Sequence, residues 1–319
     1  MATEPKTLQE AILYFADADN CLNYLLARRW KDGIVRCPTC GSENVSFLKS
    51  RRLWQCKTRH PKAQFSIKVG TIFEDSAIGL DKWLCAMWLI GSCKNGISSY
   101  EIHRSLGISQ KTAWFMLQRI RLTMQDTDAA KLGGEVEVDE TYIGGKARNM
   151  HKDRKARMLQ GKGGGASGKT GVQAMLERGG QVRTKVLSRP HHGWELVSNV
   201  RERVQLGTQI FTDELIAYFG LQAEYVHEFI NHAETYVQGN VHTNGLENFW
   251  SLLKRGLGGT YISVEPFHLF RYVDEQAFRY NHRKDMTDSD RLSVLAERVV
   301  GKRLTFAEVT GKVGETSSN

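Results

Sequence analysis

No apolar stretch in this 319-residue chain is long enough to cross a membrane: the longest, Trp83 to Gly91, has nine residues, where a spanning helix needs about twenty. Residues 1–20 lack a basic segment followed by an apolar one and carry Glu4, Glu10, Asp17 and Asp19. No secretory signal is therefore expected, and the expected compartment is the cytoplasm. Cysteine is scarce, six in all; in a reducing compartment thiols stay free, and clustered ones read as metal ligands before disulfides. No repeat of solenoid period is visible. Acidic residues are outnumbered, 35 against 44 Lys and Arg, leaving a net charge of +9. That excess points to a polyanion partner, nucleic acid first. What the chain does have is material for cores: 41% hydrophobic residues and seven Trp exclude a disordered basic tail, and the length suits two or three domains.

The character of the sequence changes along its length. Residues 1–32 place Leu8, Ile12, Phe15, Leu22, Leu25 and Leu26 at helical spacing and predict two short N-terminal helices. Residues 33–75 are turn-rich and hold Cys37, Cys40 and Cys56, residues 81–125 return to helical periodicity, and Asp126 to Gly134 reads as a linker. From 134 to 300, strand-like segments (Glu135 to Ile143, Val172 to Leu176, Val182 to Leu187, Gln209 to Asp213, Tyr225 to Phe229) interleave with helical ones (Gly193 to Gln205, Asn244 to Arg255, Pro266 to Asn281, Asp288 to Val300). Such interleaving predicts an α/β layered domain. Residues 312–319 are expected to form a disordered tail.

Cys37-Pro-Thr-Cys40, then fifteen residues, then Cys56-Lys-Thr-Arg-His60 supplies four soft or borderline ligands on two knuckles, the spacing of a closed tetrahedral zinc site. With every position filled by protein, such a Zn2+ serves folding and not catalysis. The second knuckle departs from the simplest ribbon pattern, since Cys-x3-His stands where Cys-x2-Cys is commoner.

Between residues 81 and 125, Ser98-Ser-Tyr-Glu101 matches a capping box, and Ile102, Leu106, Gly107 and Ile108 follow the pattern of a tight inter-helix turn. Ser109 can cap a second helix. Read as a helix-turn-helix, that helix presents Gln110, Lys111, Trp114 and Gln118 outward to DNA and sets Arg119 and Arg121 near phosphates. An ordinary helical hairpin gives the same pattern.

Gly163 to Thr170 satisfies the letters of a phosphate-binding loop, and Gln209 to Glu214 could pass for its partner strand, but the preceding Lys152 to Leu159 is basic and not strand-like. A flexible basic loop between strands explains the same letters, and its cations suit a phosphate backbone. Three acidic positions have a more informative context. Alternation in Glu135-Val-Glu-Val-Asp139 puts Glu137 and Asp139 on one face of a strand, Asp213 closes an apolar strand, and Glu247 lies in a predicted helix 33 residues further on. Oxygen ligands of this kind suit Mg2+ ions in phosphoryl transfer. Glu137, Glu140 and Glu214 are alternative ligands or supports. Lys254, nearly two turns after Glu247, shares its helix face and can hold a DNA phosphate.

Taken together these blocks resemble the bacterial insertion-sequence transposases of the DDE superfamily that carry an N-terminal zinc ribbon. The similarity spans nearly the whole chain: Arg28 to Gly41, Phe65 to Asp75, Val138 to Lys146, Val241 to Arg255 and Phe278 to Arg283, the last two blocks being the most specific. The resemblance implies an RNase H-like catalytic domain with the DDE positions at Asp139, Asp213 and Glu247. It also implies Mg2+ (or Mn2+) at the catalytic site, and DNA strand cleavage and transfer at terminal inverted repeats. His242 and Asn244 lie in the matched block in a supporting part. The expected partner is double-stranded DNA, element ends and target, with Arg119, Arg121, Lys254 and Arg255 on its backbone. The chain is expected to act as a homodimer or larger, without membrane or ATP. A non-catalytic DNA-binding regulator derived from such an enzyme is the alternative.

Overall fold

The computed structural model describes residues 3–145, 151–153, 168–188, 193–213, 216–230 and 242–311. The expected disordered tail, 312–319, lies outside the described residues. The chain divides into two compact units, Met1–Gln125 with His282–Asn319, and Asp126–Asn281.

In the first unit, α1 (Leu8–Phe15) opens on a capping box between Thr7 and Glu10, and α2 (Ala18–Arg29) on Asp17, whose side chain accepts from Asp19 N. A small antiparallel sheet follows, β1 (Val45–Leu48), β2 (Leu53–Cys56) and β3 (Gln64–Phe65), in that order. Trp54 on the middle strand meets Phe47 and Phe65 with ring centroids 4.9 and 5.8 Å apart, the cross-strand contacts that stabilise so short a sheet. The nine-residue apolar run falls in α3 (Leu80–Ser92), where Trp83, Leu84, Ala86, Met87, Trp88 and Ile90 are all buried. A helix apolar on nearly every side is a core helix.

The predicted capping box of Ser98 and Glu101 starts α4 (Ser99–Leu106), and Gly107, at φ 59°, turns the chain into α5 (Gln110–Met124), capped by Ser109. Only glycine takes that left-handed conformation without a Cβ penalty. The helix Asp288–Glu297 completes this unit. Its buried Leu292, Leu295 and Ala296 face α3, so closely that a Cβ on Gly91 would lie 3.2 Å from Leu295 Cδ1. Arg28 Nε donates to Ser293 Oγ at 3.1 Å, and beyond the helix Ile72 N bonds Val299 O at 3.1 Å. The alternation of strand-like and helical segments predicts an α/β domain that runs to residue 300. The structure ends that unit at Asn281, because the apolar stripe of Asp288–Glu297 is satisfied by α3.

The second unit is a mixed α/β layer built on five strands: β4 (Glu135–Ile143), β5 (Thr170–Glu177), β6 (Val182–Val186), β7 (Gln209–Asp213) and β8 (Val226–Ile230). They lie in the order β6-β5-β4-β7-β8. β4, β5 and β6 pair antiparallel, whereas β4, β7 and β8 run parallel. Alternation gives the sheet two apolar faces. Val136, Val138, Met175 and Ile210 pack with Leu196 and Val200 of α6 (Gly193–Arg203). Val172, Ala174 and Leu176 pack with Leu246, Phe249, Trp250 and Leu253 of α7 (Asn244–Arg255) and with Leu269 and Val273 of α8 (Leu269–Asn281). Among the described residues no helix is long and apolar enough to cross a membrane.

Leu295 is fully buried, so Leu295→Ala is expected to cost the first unit about 2–4 kcal/mol in urea unfolding. A cost under about 0.5 kcal/mol, typical of surface positions, would remove this helix from the core.

Candidate functional site

The four sequence-predicted zinc ligands converge. Cys37 and Cys40 flank a tight turn closed by Gly41 N donating to Cys37 O at 2.8 Å, Cys56 ends β2, and His60 follows in the next loop. Their ligand atoms lie within 4.8 Å of one another, and among the described residues this is the one such cluster. Cys40 Sγ is 3.7 Å from Cys56 Sγ, and Cys37 Sγ is 3.4 Å from His60 Nε2. Tetrahedral Zn2+, with Zn–S of about 2.3 Å and Zn–N of about 2.0 Å, needs edges of roughly 3.8 and 3.6 Å. The donor set fits the ion. His60 Nδ1 lies 2.7 Å from Pro61 O, a bond that keeps the proton on Nδ1 and leaves Nε2 for the metal.

On the α4–α5 pair, Lys111 is exposed with Nζ 4.8 Å from the Phe306 ring, half-buried Gln110 donates to Ser99 Oγ at 2.9 Å, and Trp114 is half-buried. Gln118, expected to face outward, is fully buried, and the two arginines Arg119 and Arg121 also depart from expectation, at 5% and 1% exposed. The Arg119 guanidinium donates to Leu304 O at 2.9 Å, Ile72 O at 3.1 Å and Glu74 O at 2.8 Å. Both are therefore corrected from phosphate contacts to internal side chains. Helical periodicity could not reveal this, because the covering segment lies far along the chain.

The carboxylates are organised by β4. The parallel ladder pairs Glu135 with Gln209 and Glu137 with Phe211, and the same register carried two residues further sets Asp139 level with Asp213. Glu247 is exposed in the first turn of α7, and that helix is bonded to β4 at two points. Glu137, 1% exposed, accepts from Leu246 N at 3.0 Å, pairs with Arg178 at 3.1 Å and has His242 Nδ1 at 3.4 Å. Arg178 also bonds Glu135 at 2.9 Å and His242 O at 2.8 Å, and lies over the Phe211 ring, 4.0 Å from its centroid. Gly245 permits this approach, since a Cβ there would lie 2.5 Å from Leu176 Cδ2 and 2.8 Å from Glu137 Oε2. The second bond runs from Trp250 Nε1 to Asp139 Oδ2 at 2.9 Å, while Glu140 N donates to Asp139 Oδ1 at 2.8 Å. Glu140 itself accepts from Tyr218, whose side chain belongs to the α6-side core. Burial, then the Glu140 carboxylate, raises the Tyr218 hydroxyl well above its ordinary range, so it remains a donor. Glu214 lies outside the described residues.

Two family models match this chain: a transposase zinc-ribbon domain over residues 16–58, and an ISXO2-like transposase domain over residues 131–281, which contains the whole five-stranded sheet. The chain is also 28% identical over 253 residues to an uncharacterized protein in transposable element ISH50 of Halobacterium salinarum, covering 76% of this chain and 84% of that one. The chain belongs to the zinc-ribbon transposases of insertion sequences.

In this transposase the phosphate-loop letters lose their context. Residues 161–167 lie outside the described residues, and Gly168, Lys169 and Thr170 run into β5, where a phosphate loop needs a helix N-terminus. Most of the expected basic loop, 146–150 and 154–162, is likewise outside them. Lys254 and Arg255 are exposed on the last turn of α7. Sequence reasoning missed the roles of Arg178 and Trp250, and it missed the ribbon's charge. Residues 44–73 contain no Asp or Glu, and Lys49, Arg51, Arg52, Lys57, Arg59 and Lys62 are all exposed. That acid-free stretch was a legible signal.

The purified transposase is expected to carry one zinc per chain by atomic emission, and Cys56→Ser to lose it together with cooperative unfolding of the ribbon; retained zinc would refute the ligand set. Arg119→Ala is expected to cost roughly 2–3 kcal/mol in chemical unfolding, because three carbonyls lose their donor. Weakened DNA binding at unchanged stability would instead return Arg119 to the phosphates.

Proposed function

We propose that this transposase binds the terminal inverted repeats of its insertion sequence and carries out metal-dependent DNA strand cleavage and strand transfer. Asp139, Asp213 and Glu247 form its catalytic centre in an RNase H-like domain. The observation that carries the proposal is the parallel register of β4 and β7, with Glu137 opposite Phe211 and so Asp139 and Asp213 each two residues further along, and the helix of Glu247 bonded to β4. The sheet, three antiparallel strands joined at β4 to two parallel ones, supports the RNase H-like reading.

An all-oxygen donor set suits Mg2+ or Mn2+, held by Asp139, Asp213 and Glu247. When bound, such ions supply activation of the attacking oxygen and stabilisation of the leaving one. The chain's own residues prepare for this. Both Asp139 oxygens accept a hydrogen bond, so the carboxylate is held in one orientation. Glu247 lies in the first turn of α7, exposed and beside the point where that helix is bonded to β4. Lys254, on the same face of α7, and its neighbour Arg255 offer cations to the phosphate backbone. Gln110, Lys111 and Trp114 at the start of α5, the second helix of the helix-turn-helix, reach toward a groove, and the exposed ribbon cations hold the flanking backbone. Because an element has two ends, the working assembly is a homodimer or larger on double-stranded DNA, in the cytoplasm.

With a duplex bearing the element end, Asp139→Asn and Asp213→Asn are each expected to lower Mg2+-dependent cleavage by about a thousandfold or more, with DNA affinity changed by no more than about threefold, under 1 kcal/mol. Undiminished cleavage by either variant overturns the site. Binding without cleavage by the unaltered protein would favour the regulator.

A further inference from the structure

We infer that Trp250 is a positioning residue for the metal site: its indole N–H orients the Asp139 carboxylate, so metal affinity depends on how α7 is seated on β4. This rests on the reading of Asp139 as a metal ligand.

The argument begins with freedom that Asp139 would otherwise have. The terminal torsion of an Asp side chain is broad, so a carboxylate at a strand position can present its oxygens over a range of directions. Here the backbone N–H of Glu140 takes Oδ1 at 2.8 Å and the indole of Trp250 takes Oδ2 at 2.9 Å. The two bonds fix the plane of the carboxylate and so the directions its oxygens present. The indole nitrogen is a donor only, so the contact can be made only to an acceptor oxygen and fixes the direction of Oδ2. Trp250 is 4% exposed, and a bond shielded from water is stronger than the same bond on the surface.

The indole is itself held from several sides. Trp250 packs with Val172, Ala174 and Leu176 of β5 and Val273 of α8 in one core, and meets Phe249 at 5.2 Å between ring centroids. Its helix is anchored one turn earlier, where buried Glu137 accepts from Leu246 N and is itself held by Arg178. Glu137 and Asp139 share one face of β4, two residues apart. The first bonds the backbone of α7 and the second bonds its side chain. Glu247 lies between these two points of attachment, so sliding α7 along β4 would break both and move Glu247 relative to Asp139. A tryptophan that merely filled the core would need no such acceptor, and its replacement by another aromatic would change stability alone.

The test uses the full chain with its zinc in place and Mn2+ or Mg2+ alone as probe. Trp250→Phe keeps a buried aromatic ring and removes the N–H. Mn2+ affinity by titration calorimetry is expected to fall about tenfold or more, the scale of outer-sphere partners of metal ligands, while one zinc per chain is retained. Asp139→Asn is expected to abolish that Mn2+ binding. If Asp139→Asn binds Mn2+ like the unaltered protein, the metal-site reading itself fails. If Asp139→Asn loses binding while Trp250→Phe keeps full affinity, the positioning role alone is overturned. Should Trp250→Phe fail to fold, the unaltered protein labelled with 15N-tryptophan decides the matter. Mg2+ is expected to shift an indole N–H resonance, and the shift to vanish in Asp139→Asn; no indole shift on Mg2+ addition overturns the proposal.

Discussion

The buried carboxylate of Glu137 is the constraint around which the carboxylate-bearing face of the sheet is arranged. An ionised carboxylate inside a protein is unfavourable unless paired and hydrogen-bonded, and here the partners are a guanidinium and the first turn of a helix. Arg178 is committed in turn to Glu135 and to the carbonyl of His242, the residue that leads into α7. The charge on one strand thus selects where the helix starts, and the helix start determines where Glu247 stands. A glycine at position 245 is the steric counterpart of the same arrangement, since a methyl group there would collide with Glu137 and Leu176.

Much of this was legible in residue order, because the signals are local. Alternation in Glu135 to Asp139 shows that Glu137 and Asp139 share a face, the capping box at Ser98 starts α4, and Gly107 ends it. Cys and His spacing specifies the ligand cluster without reference to the rest of the fold. What spacing does not reveal is which member of a shared face is buried. Glu137 and Asp139 look equivalent in sequence, yet one holds a helix while the other stands half-exposed beside it.

The misread positions have a common cause. Arg119 and Arg121 occupy a basic helix of a basic protein, and nothing near them in sequence signals that residues 299–306 fold over α5. The helix Asp288–Glu297 shows an apolar stripe, which says that it is buried but not against what; α3 supplies the answer. Long-range cover decides whether a cation is a surface contact or an internal tie, and it is invisible to any window of sequence.

The division of the first unit between the two ends of the chain has a consequence for biosynthesis. Residues 1–125 emerge from the ribosome without the segment that carries Leu292, Leu295 and the carbonyl of Leu304, so their core stays incomplete until that segment has been made. Asp126–Asn281 is continuous and can collapse as soon as it clears the exit tunnel, although it is made second. A premature stop anywhere before residue 282 would leave the ribbon and the α4–α5 pair without their closing helix.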